Sequence, residues 1–115
     1  MKNKLIKNSD LRIGISDYSF YCQGCKCHHG VWIKKENYAG PVWDFNNDIK
    51  NPTFYPSIKV EWIYCEYDQI TSMPIQSTRK IMICHSFITN GKIQYLSDCT
   101  HKLAGQTIDL SDEDE

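Results

Sequence analysis

Cysteine and histidine constrain this chain more than anything else in it: 115 residues carry six Cys and four His, and most of them fall in two places. The first is Cys22-Gln23-Gly24-Cys25, a C-x2-C knuckle followed at once by Cys27, His28 and His29. The second is Cys84-His85 together with Cys99-Thr100-His101. Two thiolates at C-x2-C spacing on a tight turn can face one zinc ion, and Gly24 relieves the backbone of that turn. Fifty-eight residues lie between Cys25 and Cys84, so this is no compact finger. The spacing instead predicts a discontinuous site that staples an N-terminal turn to a C-terminal sheet. Cys22, Cys25, His29, Cys84 and His101 are the candidate ligands, Cys22 and Cys25 foremost. Cys27, His28 and Cys99 are weaker candidates, and the surplus leaves open either bystanders or a second site. Cys65, alone among apolar and aromatic neighbours, reads as a core cysteine.

A metal reading requires a compartment in which thiols stay reduced. The N-terminus carries Lys2, Lys4 and Lys7 but no apolar run of the kind an export signal needs, and no stretch suits a membrane span. A cytoplasmic protein is therefore expected. With 41% apolar and 23% charged residues the chain has ordinary globular usage, and its length suits one domain, residues 1–111, with residues 112–115 as an acidic, disordered tail. The net charge is −1, but without Asp112, Glu113, Asp114 and Glu115 the body carries 13 basic against 10 acidic residues. That mild excess falls far short of the basic stripe of a nucleic-acid binder.

Short period-two runs rich in β-branched and aromatic residues, divided by Gly, Pro and Asn, predict a mainly β fold. The expected strands are Leu11–Ile15, Ser19–Cys22, Val31–Lys34, Val42–Phe45, Ile58–Tyr67, Lys80–Ile88, Lys92–Ser97 and Gln106–Leu110. Thr71–Thr78, with Pro74, reads as a flexible connection. Asn90-Gly91 predicts a two-residue type I′ hairpin loop, because both residues tolerate positive φ. That loop sets Thr89 opposite Lys92, Phe87 opposite Gln94, His85 opposite Leu96, Cys84 opposite Ser97 and Met82 opposite Cys99. Cys84 and Cys99 then share one face as diagonal neighbours, with His101 continuing it, while His85 and Asp98 share the other. The architecture predicted is a small antiparallel β domain with a zinc-ribbon-like knuckle tied to the C-terminal hairpin.

Several longer motifs run through the chain: Cys22-x-Gly24-Cys25 with His29-Gly30, Pro41-Val42-Trp43, Phe45-Asn46 and Pro52-Thr53-Phe54-Tyr55-Pro56-Ser57. Cys84-His85-Ser86-Phe87-Ile88, Asp98-Cys99-Thr100-His101 and Leu103-Ala104-Gly105-Gln106-Thr107 complete them. In these the chain resembles a family of small phage and prophage proteins that often carry the label ammonia monooxygenase. The chain departs from that pattern at Gln23, where Pro is usual, and at the ligand-rich Cys27-His28; Ser often stands in the family at the place of Cys99. The resemblance implies a mobile-element origin and a zinc knuckle and brings no activity with it. Ammonia oxidation itself finds no support in one short β domain without membrane segments or a carboxylate-rich metal site.

The leading functional expectation is a zinc-stabilised accessory protein of a phage or prophage that binds a host or phage protein, an inhibitor of host defence being one version. Pro52 and Pro56 stiffen a segment whose Trp43, Phe54 and Tyr55 form a candidate binding surface, with core packing as the plainer role. The alternative is a small hydrolase that uses Cys84, His85, Asp98 and His101, either with Cys84 as nucleophile and His101 as base or with a zinc-bound water. His85 hydrogen-bonded to Asp98 as a core histidine is the bland form of the same contact. A nucleic-acid module ranks third.

Overall fold

The computed structural model describes residues 3–7, 16–33 and 40–112, and the account below concerns those residues. They form strands and turns with no helix among them, hence none long and apolar enough to cross a membrane. Three short strands, β1 (Ile6–Lys7), β2 (Tyr18–Cys22) and β3 (Cys27–Val31), make one antiparallel sheet in that order. The second sheet runs β4 (Asp44–Phe45), β5 (Phe54–Tyr67), β6 (Pro74–Thr89), β7 (Lys92–Tyr95) and β8 (Thr107–Asp109), again in sequence order and antiparallel.

The two sheets share one core. Leu5, Phe20, Cys22 and Val31 bury against Phe54, Ile58, Cys84, Ile88, Ile93, Tyr95 and Leu110. Alternation along β6 explains which residues enter it: Cys84, Ser86 and Ile88 are buried, while His85 and Phe87 between them are only partly covered on the opposite face. Phe20 and Phe54 are fully or almost fully buried, and burial of side chains that large stabilises by roughly 2 kcal/mol or more each.

β5 and β6 pair well beyond this core and project as a two-stranded ribbon, so the molecule measures 47 × 34 × 27 Å. Ile63, Tyr64 and Ile81 are exposed on the ribbon. Cys65 lies there too, at a register shift between Tyr64 and Glu66, with its thiol donating to Glu66 O and Ile75 O. It is a half-exposed arm residue rather than the core cysteine expected, because no second sheet covers that part of the ribbon. The segment expected to be a flexible connection is also ordered. The Asp68 carboxylate accepts the N–H groups of Ile70 and Thr71, Asp68 N–H donates to Met73 O, and β6 starts directly at Pro74. A proline at a strand's first residue sacrifices no ladder bond, which is why the break read from Pro74 does not occur.

Six of the expected strands overlap observed ones with shifted ends. β3 instead occupies Cys27–Val31, earlier than the expected Val31–Lys34, and continues only through an isolated bridge between Ile33 and Trp43. Leu11–Ile15, Lys34 and the end of the acidic tail lie outside the described residues. Asp112, the first tail residue, pairs with Lys4 at 3.3 Å.

The Asn90-Gly91 hairpin forms as expected, with φ of 50° and 79° at its two loop residues and Thr89 opposite Lys92. Gly91 also touches Asn51, so an added Cβ would meet Asn51 Oδ1 at 3.1 Å and Asn51 Cα at 3.3 Å. Gly91→Ala is expected to lower stability by about 1–2 kcal/mol. Asn90→Gly should stay within about 0.5 kcal/mol of the parent; urea denaturation of both variants measures the difference.

Candidate functional site

Two groups of reactive side chains sit back to back on β6. The first gathers at the β2–β3 turn. Lys26, at φ 59°, donates its N–H to Cys22 O and folds residues 23–26 into a tight loop, which brings Cys25 beside Cys22. Cys84 arrives from the facing sheet with its Sγ 3.7 Å from that of Cys22. Two thiolates on one tetrahedral ion at about 2.3 Å each would stand at nearly this separation. His29, directly opposite Phe20 in the β2–β3 register, completes a set of four donor atoms that all lie within 4.8 Å of one another. Its Nε2 is buried and has no hydrogen-bond partner, a costly state for an imidazole unless it faces an ion. Cys22, Cys25, His29 and Cys84 can therefore hold a metal ion.

The electrostatics of the cluster point the same way. A hydrogen bond from Cys84 lowers the Cys22 thiol to about 3 in spite of its burial, with His29, Tyr95 and the Cys25 N–H adding to the effect. The Cys25 N–H and the Tyr95 hydroxyl each lie 3.3 Å from Cys22 Sγ. Burial and the Cys22 charge push the Cys25 thiol up to about 12. The thiol of Cys84 is raised as well, by its hydrogen bond to Cys22, then by burial and the neighbouring sulfurs. The three sulfurs thus oppose one another's ionisation, and a cation among them would relieve that repulsion.

His101 stands beside this set without joining it. Its Nε2 is 3.6 Å from Cys84 Sγ, its Nδ1 accepts the Leu103 N–H, and its ring meets Tyr95 edge-on. Cys84, Cys99 and His101 form a second set of mutually close donors, sharing Cys84 with the first. Cys27 and His28 are exposed and belong to neither.

The second group lies on the other face of the same strand. Between Phe54 and Ile58 the β5–β6 register shifts, so Tyr55, Pro56 and Ser57 together span the stretch opposite Phe87 alone. The Tyr55–Pro56 peptide is cis. This bulge turns Ser57 toward β6, with its Oγ 3.0 Å from His85 Nε2. On the far side of the ring, His85 Nδ1 is 3.0 Å from Asp98 Oδ2. Trp43 fixes the bulge from behind by donating its indole N–H to Ser57 O at 3.1 Å. The side chains of His85 and Asp98 remain 24% and 45% exposed, so the hydroxyl–imidazole–carboxylate chain opens to solvent and to any substrate.

His85 and Asp98 thus meet on the face that the hairpin register predicts, opposite Cys84. His85 is not a core histidine, because its outer nitrogen faces Ser57 at an open surface. Cys84 and His101, paired in the sequence reading as nucleophile and base, lie with the metal cluster instead. Ser57 escaped that reading. Its signal was present in the Pro52-to-Ser57 run, but only the bulge shows that the hydroxyl reaches a histidine 28 positions away. Of the three aromatics weighed between core packing and a binding surface, Phe54 is 2% exposed and stacked on Phe45, so it belongs to the core, the plainer of the two roles. Trp43 is half-buried under Ser57, and Tyr55 alone stands out, at 65% exposure.

A hydroxyl, an imidazole and a carboxylate in one hydrogen-bonded line are the arrangement that serine hydrolases use. Residues 3–96 match the family model described as "Bacterial ubiquitination-like system serine protease (BubE)", and the chain belongs to that family. The matched stretch includes Ser57, His85 and the four metal-cluster residues and ends two positions before Asp98. No curated protein and no solved structure matches the chain.

Two outcomes test the metal cluster. A bound ion should shield Cys22, Cys25 and Cys84 from alkylation while Cys27 reacts freely. A chelator should expose the three and lower the melting temperature by more than about 10 °C; mass spectrometry of the labelled thiols and a thermal melt read both. Gly24 allows a separate test of how the knuckle packs, since a Cβ there would overlap the His101 ring. Gly24→Ala should destabilise by about 1–3 kcal/mol. In the Gly24→Ala/His101→Ala double variant the two effects should be less than additive, as a double-mutant cycle would show.

Proposed function

We propose that this chain is a serine peptidase with Ser57 as nucleophile, His85 as general base and then acid, and Asp98 as the group that orients and stabilises His85. The observation that carries this reading is the unbroken line of contacts, 3.0 Å from Ser57 Oγ to His85 Nε2 and 3.0 Å from His85 Nδ1 to Asp98 Oδ2. Asp98 as a carboxylate accepts the Nδ1–H, which leaves the Nε2 lone pair facing the Ser57 hydroxyl, as base catalysis requires. Membership of a serine protease family supports the same assignment. It also supports a place for the enzyme within a bacterial ubiquitination-like system, where it would cleave an acyl bond of a protein component.

The reaction proceeds in two halves. Ser57 Oγ attacks the scissile carbonyl as its proton passes to His85 Nε2. The tetrahedral adduct then expels the leaving group, which takes that proton, and an acyl ester remains on Ser57. Water attacks the ester, delivers a proton to Nε2, and Ser57 recovers it as the carboxylic acid departs. Asp98 keeps its charge throughout and stabilises the imidazolium that forms twice.

The metal of the Cys22, Cys25, His29 and Cys84 cluster is zinc in this reading, since three thiolates and an imidazole are a donor set that zinc favours. Four protein ligands leave no open position, so the ion would act by tying the β2–β3 turn to β6 rather than by activating water. Catalysis fits the geometry better than the binding-only accessory role that the sequence put first. A surface used solely for docking has no need of an aligned hydroxyl, imidazole and carboxylate.

A fluorophosphonate probe, which phosphonylates an activated serine with loss of fluoride, should label the metal-loaded protein at Ser57. Ser57→Ala should abolish labelling and lower ester or peptide turnover by at least about 10³-fold, and Asp98→Asn by a comparable factor, with melting temperatures unchanged. Turnover and labelling that survive Ser57→Ala would overturn the assignment.

A further inference from the structure

Asp98 reaches His85 from a turn, not from a paired strand, and something must hold that turn in place. β7 ends at Tyr95, after which Leu96 N–H still donates to His85 O at 2.9 Å. A continued ladder would return the bond from His85 N–H to Leu96 O, since a strand residue's N–H and C=O face the same neighbour. Here Leu96 O is taken by the Cys99 N–H at 3.2 Å, and pairing with β6 resumes further on, with Thr100 N–H donating to Ile83 O at 2.9 Å. His85 N–H donates instead to Cys99 Sγ at 3.2 Å, and the Cys99 thiol donates to His85 O, also at 3.2 Å.

We propose that Cys99 is a positioning residue of the catalytic site, its single thiol closing a two-bond clamp on the His85 main chain that sets Asp98 against Nδ1. The sulfur accepts the N–H that the ladder carbonyl of Leu96 would otherwise take, its S–H adds a second bond to His85 O beside the Leu96 N–H, and the chain is free to turn so that the preceding residue, Asp98, meets the imidazole. Cys99 is 8% exposed, so water does not replace these bonds. Its donor and acceptor are both engaged with His85, which separates it from the metal cluster even though its sulfur lies near Cys84 and His101. This assignment rests on the serine peptidase reading and adds to it a residue that touches no reacting atom.

The test uses the full-length, metal-loaded chain with Cys99→Ala and Cys99→Ser, read by p-nitrophenyl acetate hydrolysis and by the downfield nuclear magnetic resonance signal of the His85 Nδ1 proton. Cys99→Ala should lower kcat by about 10–100-fold with KM within about threefold of the parent, and should weaken the downfield signal. Metal content should not change. Cys99→Ser, whose hydroxyl both donates and accepts, should restore kcat to within about threefold and recover the signal. Parent-level kcat and an intact signal in Cys99→Ala would overturn the clamp, as would a Cys99→Ser chain that folds, holds its metal and is as impaired as the alanine variant. Should Cys99→Ala fail to fold, Cys99→Ser and Cys99→Thr decide the matter, because both hydroxyls must keep the signal if the clamp is real. Turnover that survives Ser57→Ala would sink the peptidase reading itself. A dead Ser57→Ala beside a fully active Cys99→Ala would sink the clamp alone.

Discussion

Cys84 and His85 are neighbours on β6, and the pleat of a β-strand sends adjacent side chains to opposite faces. Everything functional in the structure depends on that division. Cys84 points into the interior, where it meets Cys22 from the other sheet at 3.7 Å; His85 points outward, where Ser57 and Asp98 flank its ring. A slip of one residue in the register of β6 would exchange the two faces. It would place the imidazole in the core and leave the four-donor cluster without its third sulfur. The interior contact therefore does more than join two sheets, since it fixes which way the histidine beside it must look.

Departures from the regular ladder bring the Ser57 hydroxyl and the Asp98 carboxylate to His85. On β5 the register shift at Tyr55-Pro56-Ser57 re-aims the serine, and Trp43 holds its carbonyl. Past β7 the turn at Leu96–Cys99 brings Asp98 to His85, and the Cys99 sulfur takes the His85 N–H that the turn leaves behind. Bulges beside active sites serve this purpose because a perfect ladder cannot aim three side chains from three segments at one point. The regular strands supply rigidity, and the irregular residues supply direction.

The β class, the Asn90-Gly91 loop and the separation of His85 and Asp98 from Cys84 follow from local chemistry, so they were legible from residues alone. Positive φ at Asn90 and Gly91 is a property of two residue types, and face alternation is a property of any strand. The pairing of Cys22 with Cys25 was likewise local. The hairpin register, by contrast, holds only to Leu96, since the turn that follows consumes residues the ladder rule assigns to pairing. Cys65 was misplaced, and the choice between core and surface for Phe54 stayed open, for a related reason. Burial depends on what lies across from a residue, and neither the uncovered ribbon around Cys65 nor the Phe45 ring stacked on Phe54 can be read from their neighbours in the chain.

The sequence by itself determined the chemical inventory: thiols and imidazoles in two clusters, a β architecture, and a histidine facing away from its neighbouring cysteine. Only the tertiary structure decided how that inventory is divided. His29 rather than His101 completes the four-donor set, and the group that meets the histidine's outer face is a serine hydroxyl from a bulged strand rather than a cysteine thiol from the same one. The reason is physical. Ligand sets and catalytic triads are defined by distances of a few ångströms between segments far apart in the chain, and those distances exist only once two sheets have packed and one strand has bulged.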